Sequence, residues 1–271
     1  MTAMILGVLV GAVMGLTGAG GGILAVPALV FGLGWTLTQA APVALLAAAA
    51  AGFVGALEGL KRGILRYRAA ILMATVGICV TPFGVRAAQA LPQHALLYAF
   101  AAVLTWVAAK TFHETRERGP MQRDAMPASV PCRLDPRTGR LKWTFASTAI
   151  LALIGAASGL LAGLLGVGGG FVIVPALRRA SDLSIHSIVT TSLAVIALVA
   201  SGAVAASLAH GASLPAAVAG PFVAGAVGGM FAGRIVIHRL PPKRVQQLFA
   251  AVALLAAAGL AARATGIFPG A

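Results

Sequence analysis

The segment GLTGAGGGILAVPAL at Gly15–Leu29 comes back as GLLGVGGGFVIVPAL at Gly163–Leu177. Gly7, Gly11, Gly15, Gly18, Gly20, Gly21, Gly22, Val26 and Pro27 each meet the same residue type 148 positions later, at Gly155, Gly159, Gly163, Gly166, Gly168, Gly169, Gly170, Val174 and Pro175. The register carries on through Gly63 and Gly211, Gly77 and Gly225, and Arg86 and Arg234. After a slip of one residue, Leu91-Pro92 aligns with Leu240-Pro241 and Phe100–Val103 with Phe249–Val252. The duplication covers nearly the whole chain, so the fold is expected to be one unit built twice.

What that unit is made of follows from its apolar runs. Several exceed the roughly 18 to 20 residues that cross about 30 Å of hydrocarbon as a helix. With 59% hydrophobic and 10% charged residues and a mean hydropathy of +0.96, a water-soluble fold is excluded. Outer-membrane strands would alternate polar and apolar residues in short segments; these runs are continuous and rich in Gly and Ala, which suits close helix packing in lipid. The fold class is an all-α polytopic membrane protein. Its formal net charge of +14 comes from loops flanking the spans, which points to membrane orientation and not to nucleic acid. Cys79 and Cys132 make neither a disulfide framework nor a metal spacing, and no cofactor or metal is expected. Met1–Leu16 lacks the positive start of a signal peptide and recurs inside the chain, which makes it part of the first copy.

Each copy reads as a Gly-interrupted segment followed by three spans: Thr36–Leu57, Ala69–Ala90 and Ala95–Ala109 in the first, Ser187–Ala209, Ala216–Gly233 and Val245–Ala262 in the second. The domains are residues 1–110, a polar linker at 111–143, and residues 144–271. Cytoplasmic loops carry excess Lys and Arg. Lys61, Arg62, Arg66 and Arg68 put the first inter-span loop inside, with the linker two spans further on also inside. In the second copy the basic loops hold Arg178 and Arg179, and Arg239, Lys243 and Arg244, whereas His210–Pro215 has no Lys or Arg. Equivalent loops thus fall on opposite sides. Both patterns are met if each Gly-interrupted segment is a re-entrant hairpin that returns to the side it entered, leaving three crossings per copy and inverted repeats. The nine or so residues between Gly170 and Arg178 are too few to span at about 1.5 Å each. The competing arrangement, parallel copies of four spans, places Arg239, Lys243 and Arg244 outside.

Non-helical backbone at membrane depth is tolerated only where it packs in protein or lines a cavity. The breaks are therefore the candidate substrate site: Gly18, Gly20, Gly21 and Gly22 with neighbouring Thr17, and Gly166, Gly168, Gly169 and Gly170. Each precedes a half-helix marked by Pro27 or Pro175. A half-helix N-terminus presents unpaired N–H groups and a positive dipole end to an anion. Thr190, Thr191 and Ser192, after the second break, could add hydroxyls, with Gln39 a weaker candidate. The plainer alternatives are that the glycines only allow tight crossings and that the hydroxyls bond back to their own helix. Arg86 and Arg234 are equivalent span-end arginines, expected to snorkel to opposite faces, and stand as candidate gates. Glu58 reads as a surface partner of Lys61 and Arg62; His186 and His210 sit at loop edges. No metalloprotease motif is present, and the serines of Ala157-Ser158-Gly159 and Ala200-Ser201-Gly202 lack the nucleophile-elbow glycine, so no enzyme activity is expected.

The paired G-x-x-G-x-G-G-G-x-x-x-V-P-x-L motifs, the T-T-S-L at Thr190–Leu193, and the Gly225–Arg234 motif resemble the sulfite exporter TauE/SafE family. That resemblance spans the chain. It implies a multi-pass permease of the bacterial inner membrane that exports sulfite, sulfoacetate or another organosulfonate. Residue by residue it reaches the two glycine motifs, Pro27, Pro175 and Thr191-Ser192. The first copy departs from the pattern, with Val43-Ala44-Leu45 where T-S-L is expected. The expected partners are a small anion and the lipid bilayer; a passive anion channel is the alternative to a carrier.

Overall fold

The computed structural model describes residues 1–117, 132, 144–237 and 242–265. Most of the linker assigned at 111–143 lies outside the described residues. The helices are α1 (Thr2–Thr17), α2 (Ala25–Leu33), α3 (Leu37–Lys61), α4 (Tyr67–Ala90), α5 (Gln93–Glu117), α6 (Phe145–Leu165), α7 (Gly170–Ala180), α8 (Ile185–Ala209), α9 (Ala216–Ile237) and α10 (Pro242–Ala264), with a 3₁₀ segment at Gly18–Leu24 between α1 and α2. Seven of them, α3 to α6 and α8 to α10, are long and apolar enough to cross a membrane. The six spans read from the sequence fall within these helices, except that Thr36 precedes α3 as its N-cap. At about 1.5 Å per residue, α6 with 21 residues reaches across the hydrocarbon, and α1 with 16 falls short of it.

Boundaries repeat along with the sequence. Thr36 and Ser184, 148 apart, are the N-caps of α3 and α8; the Thr36 hydroxyl accepts from Gln39 N at 3.3 Å and the Ser184 hydroxyl from Ser187 N at 3.3 Å. Gln39 also returns a bond to the Thr36 amide, completing a capping box. After α3 and α8 the chain turns at Gly63 and Gly211, with φ +67° and +85°, the left-handed geometry that ends a helix at least cost in glycine.

The two copies are interlocked. α1 packs mainly on α9, and α6 on α4, so each copy's first helix lies on the fourth helix of the other. Small residues allow the approach: a Cβ on Gly11 would run into the backbone of Ala226, and one on Gly159 into that of Gly77. Gly7 lies against Phe222 and Gly15 against Met230, so α1 and α9 run parallel; Gly155 against Met73 and Gly163 against Thr81 make α6 and α4 parallel. At the centre α3 crosses α8 in the opposite sense, with Gly52 on Leu193 and Ala197 and Gly59 on Thr190. α5 packs on α10.

Candidate functional site

The two glycine breaks differ in conformation. Gly166, Gly168 and Gly169 all have positive φ, at +73°, +75° and +70°, which side chains rarely adopt; they end α6 and turn the chain sharply into α7. The first break is instead wound as the 3₁₀ segment Gly18–Leu24, and Gly21 and Gly22 take no positive φ. In both copies the chain folds back on its own first helix, Gly21 against Met14 and Gly169 against Ser158. Ser158 is one turn further from the break than the residue equivalent to Met14.

The breaks meet each other and the central crossing. A Cβ on Gly22 would stand 3.6 Å from the Val167 carbonyl oxygen, and one on Gly168 would stand 3.2 Å from Ile196 Cγ2 and 3.5 Å from Ala48 Cβ. Ala48 and Ile196 are 148 positions apart, so Gly168 sits where equivalent residues of the two copies come together. The N-cap of α7, Gly169, supplies no side-chain cap, leaving first-turn N–H groups of this half-helix without one. Gly170 opens α7; Pro175 lies within it and Pro27 near the start of α2.

Three of the four candidate hydroxyls, those of Thr17, Thr191 and Ser192, are bonded elsewhere. Thr17 Oγ1 donates to Val13 O at 2.7 Å and Ser192 Oγ to Val189 O at 2.8 Å, each on its own helix. Thr191 Oγ1 accepts from the Arg66 amide at 3.2 Å, and the Thr190 methyl packs on Gly59. These two serve the junction of α8 with the end of α3 and the start of α4. Thr191 precedes Ile196 by five residues, about 7 Å along the helix, so the structure does not gather the hydroxyls around Gly168. One hydroxyl that the sequence offered only as a nucleophile, and rejected as one, lies beside the break. Ser158 is fully buried, its Oγ has no hydrogen-bond partner, and it abuts Gly169. The signal was there, since the repeat aligns Ser158 with Val10, an apolar-to-polar change inside a span.

Polar contacts divide the two ends of the bundle. At the C-terminal end of α3, Glu58 pairs with Arg62 at 2.7 Å and with Arg234 of α9, so its partners include a distant arginine besides the expected neighbour. At the other end of α3, Leu37, Gln39, Ala41 and Pro42 line a cavity of about 240 Å³ together with Val85, Gln89, Gly163, Ser207, His210 and Ser213. Ala41 also packs on Gly166, which brings this vestibule up to the second break. Arg86 stands beside it, its Nε donating to His210 Nε2 at 3.3 Å. Arg86 is exposed and Arg234 partly so, and each is also tied to a neighbouring helix or its cap.

A family model described as Sulfite exporter TauE/SafE matches residues 3–260. The chain belongs to the sulfite exporter TauE/SafE family. It is a multi-pass membrane transporter. Among TauE/SafE-like relatives, a "Probable membrane transporter protein" of Xylella fastidiosa (strain 9a5c) is 31% identical over 191 residues, covering 70% of this chain and 67% of the relative. No solved structure matches the chain.

Proposed function

We propose that the protein is a secondary carrier that exports a small sulfur-containing anion, sulfite first and organosulfonates next, across the inner membrane by alternating access. The observation that carries this reading is the second break. Three left-handed glycines lead into an uncapped half-helix N-terminus, and this lies against the first break at the crossing of α3 and α8. Backbone N–H groups and a helix dipole can hold an oxyanion there without a buried cation. Breaks of this kind at a repeat interface are how inverted-repeat carriers hold anionic groups.

Support for inverted copies comes from the helix directions. α3 and its equivalent α8 are antiparallel, and α1 and α6 follow α9 and α4 respectively. Because α1 and α3 then run the same way, the intervening 3₁₀ segment and α2 return the chain to its starting side, as a re-entrant hairpin does; in the second copy α6 is itself long enough to cross, so α7, about 16 Å long at 11 residues, needs the stretch up to Ser184 to complete the return. In this reading the linker and the Glu58 end face the cytoplasm and the vestibule faces outward.

Counterflow of [³⁵S]sulfite in proteoliposomes tests the carrier. Unlabelled sulfite inside should accelerate uptake of label, and Gly168→Val, which forces a β-branched residue into a left-handed conformation, should abolish the exchange. Flux without trans-acceleration would make the protein a passive channel.

A further inference from the structure

Arg86 and Arg234 occupy equivalent positions, yet only one has a carboxylate. Arg234 of α9 reaches Glu58 of α3. The residue equivalent to Glu58 in the second copy is Ala206, so the corresponding acid is missing on α8. Arg86 finds His210 instead, one turn further along. His210 Nδ1 lies 2.8 Å from Ala206 O. With Nδ1 donating to that carbonyl, Nε2 is the acceptor that Arg86 requires. The guanidinium is exposed and spends only its Nε on this bond; among the described residues no carboxylate lies within ion-pairing distance. Glu58, the carboxylate that pairs with Arg234, lies at the opposite end of the bundle.

We infer that the vestibule is an anion site in its own right, in which an oxyanion takes beside Arg86 the place that Glu58 takes beside Arg234. The cavity that Arg86 borders through His210 is lined by neutral polar groups, among them Gln39, Gln89 and Ser213. Gln89 Nε2 already donates to His210 O at 3.1 Å, which fixes the cap carrying the imidazole. A planar guanidinium with free Nη groups binds sulfite, sulfonate or carboxylate oxygens in pairs. Through Ala41 the vestibule adjoins Gly166, so an anion held here is one step from the break. The inference rests on the anion-carrier reading for its choice of ligand class, and it adds a second station on the path.

Sulfite-dependent thermal stabilisation of the purified, full-length protein, at ionic strength held constant with sodium chloride, measures this site without requiring transport. Arg86→Gln removes the cation, and Ala206→Glu supplies the missing internal carboxylate to compete with the ligand. Each should raise the half-effective sulfite concentration about tenfold, the value of one charge-assisted hydrogen bond. Arg86→Lys, which keeps the charge, should fall between them and wild type. Gel filtration establishes that the variants are folded, and two chemically opposite substitutions guard against one that misfolds. Unchanged half-effective concentrations in both Arg86→Gln and Ala206→Glu overturn the vestibule site, even if counterflow is intact. Loss of the sulfite effect in both variants, with no exchange in wild-type proteoliposomes, upholds the site and removes the carrier reading. No sulfite effect in wild type overturns the site directly.

Discussion

Glu58 on α3 joins Arg234 on α9 across the bundle while holding Arg62 one turn further along its own helix at 2.7 Å. Both members of the cross-helix pair are partly exposed, so water weakens the attraction, and the pair is worth about 1 kcal/mol. A double-mutant cycle with Glu58→Gln and Arg234→Gln in detergent should return a coupling of that size. A coupling of zero would mean that the contact closes nothing.

The glycines separate sharply by environment. Gly11→Ala and Gly159→Ala put a methyl group into the backbone of a neighbouring helix and should each cost about 1 to 3 kcal/mol by overpacking. Nothing lies within 4 Å of a Cβ on Gly220 or Gly228, and both are helical, so alanine there should be neutral or stabilising by up to about 1 kcal/mol. Thermal melts of the four variants measure the contrast.

Topology can be read by single cysteines. In a background lacking Cys79 and Cys132, Lys61→Cys and Ser213→Cys mark the ends of α3 and α8, and both residues are exposed. An impermeant maleimide should reach them from opposite faces of the membrane. Labelling from the same face would make the copies parallel.

Ser158 carries a buried hydroxyl without a partner, so its removal spares a desolvated polar group. Ser158→Ala should leave the melting temperature unchanged or raised. If the hydroxyl contributes to anion binding beside Gly169, the same variant raises the half-saturating sulfite concentration in exchange assays by about tenfold.

Burial, reinforced by the nearby charge of Asp182, raises the pKa of the Cys132 thiol. At a given pH less of it is the reactive thiolate than in the unfolded chain. Alkylation of Cys132 should therefore be slow in the native protein, quicken as pH rises above the ordinary thiol range, and become fast in denaturant. The raised value also works on stability: folding is favoured while the thiol is neutral in both states, and that contribution is lost as pH rises above the unfolded-state value. Mass spectrometry of timed iodoacetamide reactions checks the rates.

Much of this architecture is legible in the chain because it depends on local signals. Apolar length locates the spans, and the repeat pairs Gly63 with Gly211, where the structure shows equivalent turns. The breaks are legible too, though not their difference: Gly18–Gly22 and Gly166–Gly170 have the same glycine spacing, and their surroundings decide that one winds as 3₁₀ and the other takes left-handed angles. Partnerships between helices are not legible. Periodicity shows that Gly7, Gly11 and Gly15 share a face but not that α9 covers it, and Glu58 has nearby basic residues that conceal its reach to Arg234. The hydroxyls at Thr190–Ser192 advertise chemistry, whereas Thr17 and Ser192 satisfy their own helices and Thr191 accepts the Arg66 amide.

The exchange of first helices between the copies has a consequence for biogenesis. α1 leaves the ribosome some two hundred residues before α9, the surface that its glycine face fits, so its final docking must wait until the second copy is nearly complete. A chain severed at the linker would yield two fragments, each lacking the partner of its own leading helix. Neither would be a half-sized transporter, and activity would return only on co-assembly. An ancestor with a single copy would have needed a second molecule inserted in the opposite orientation, and fusion made that encounter obligatory.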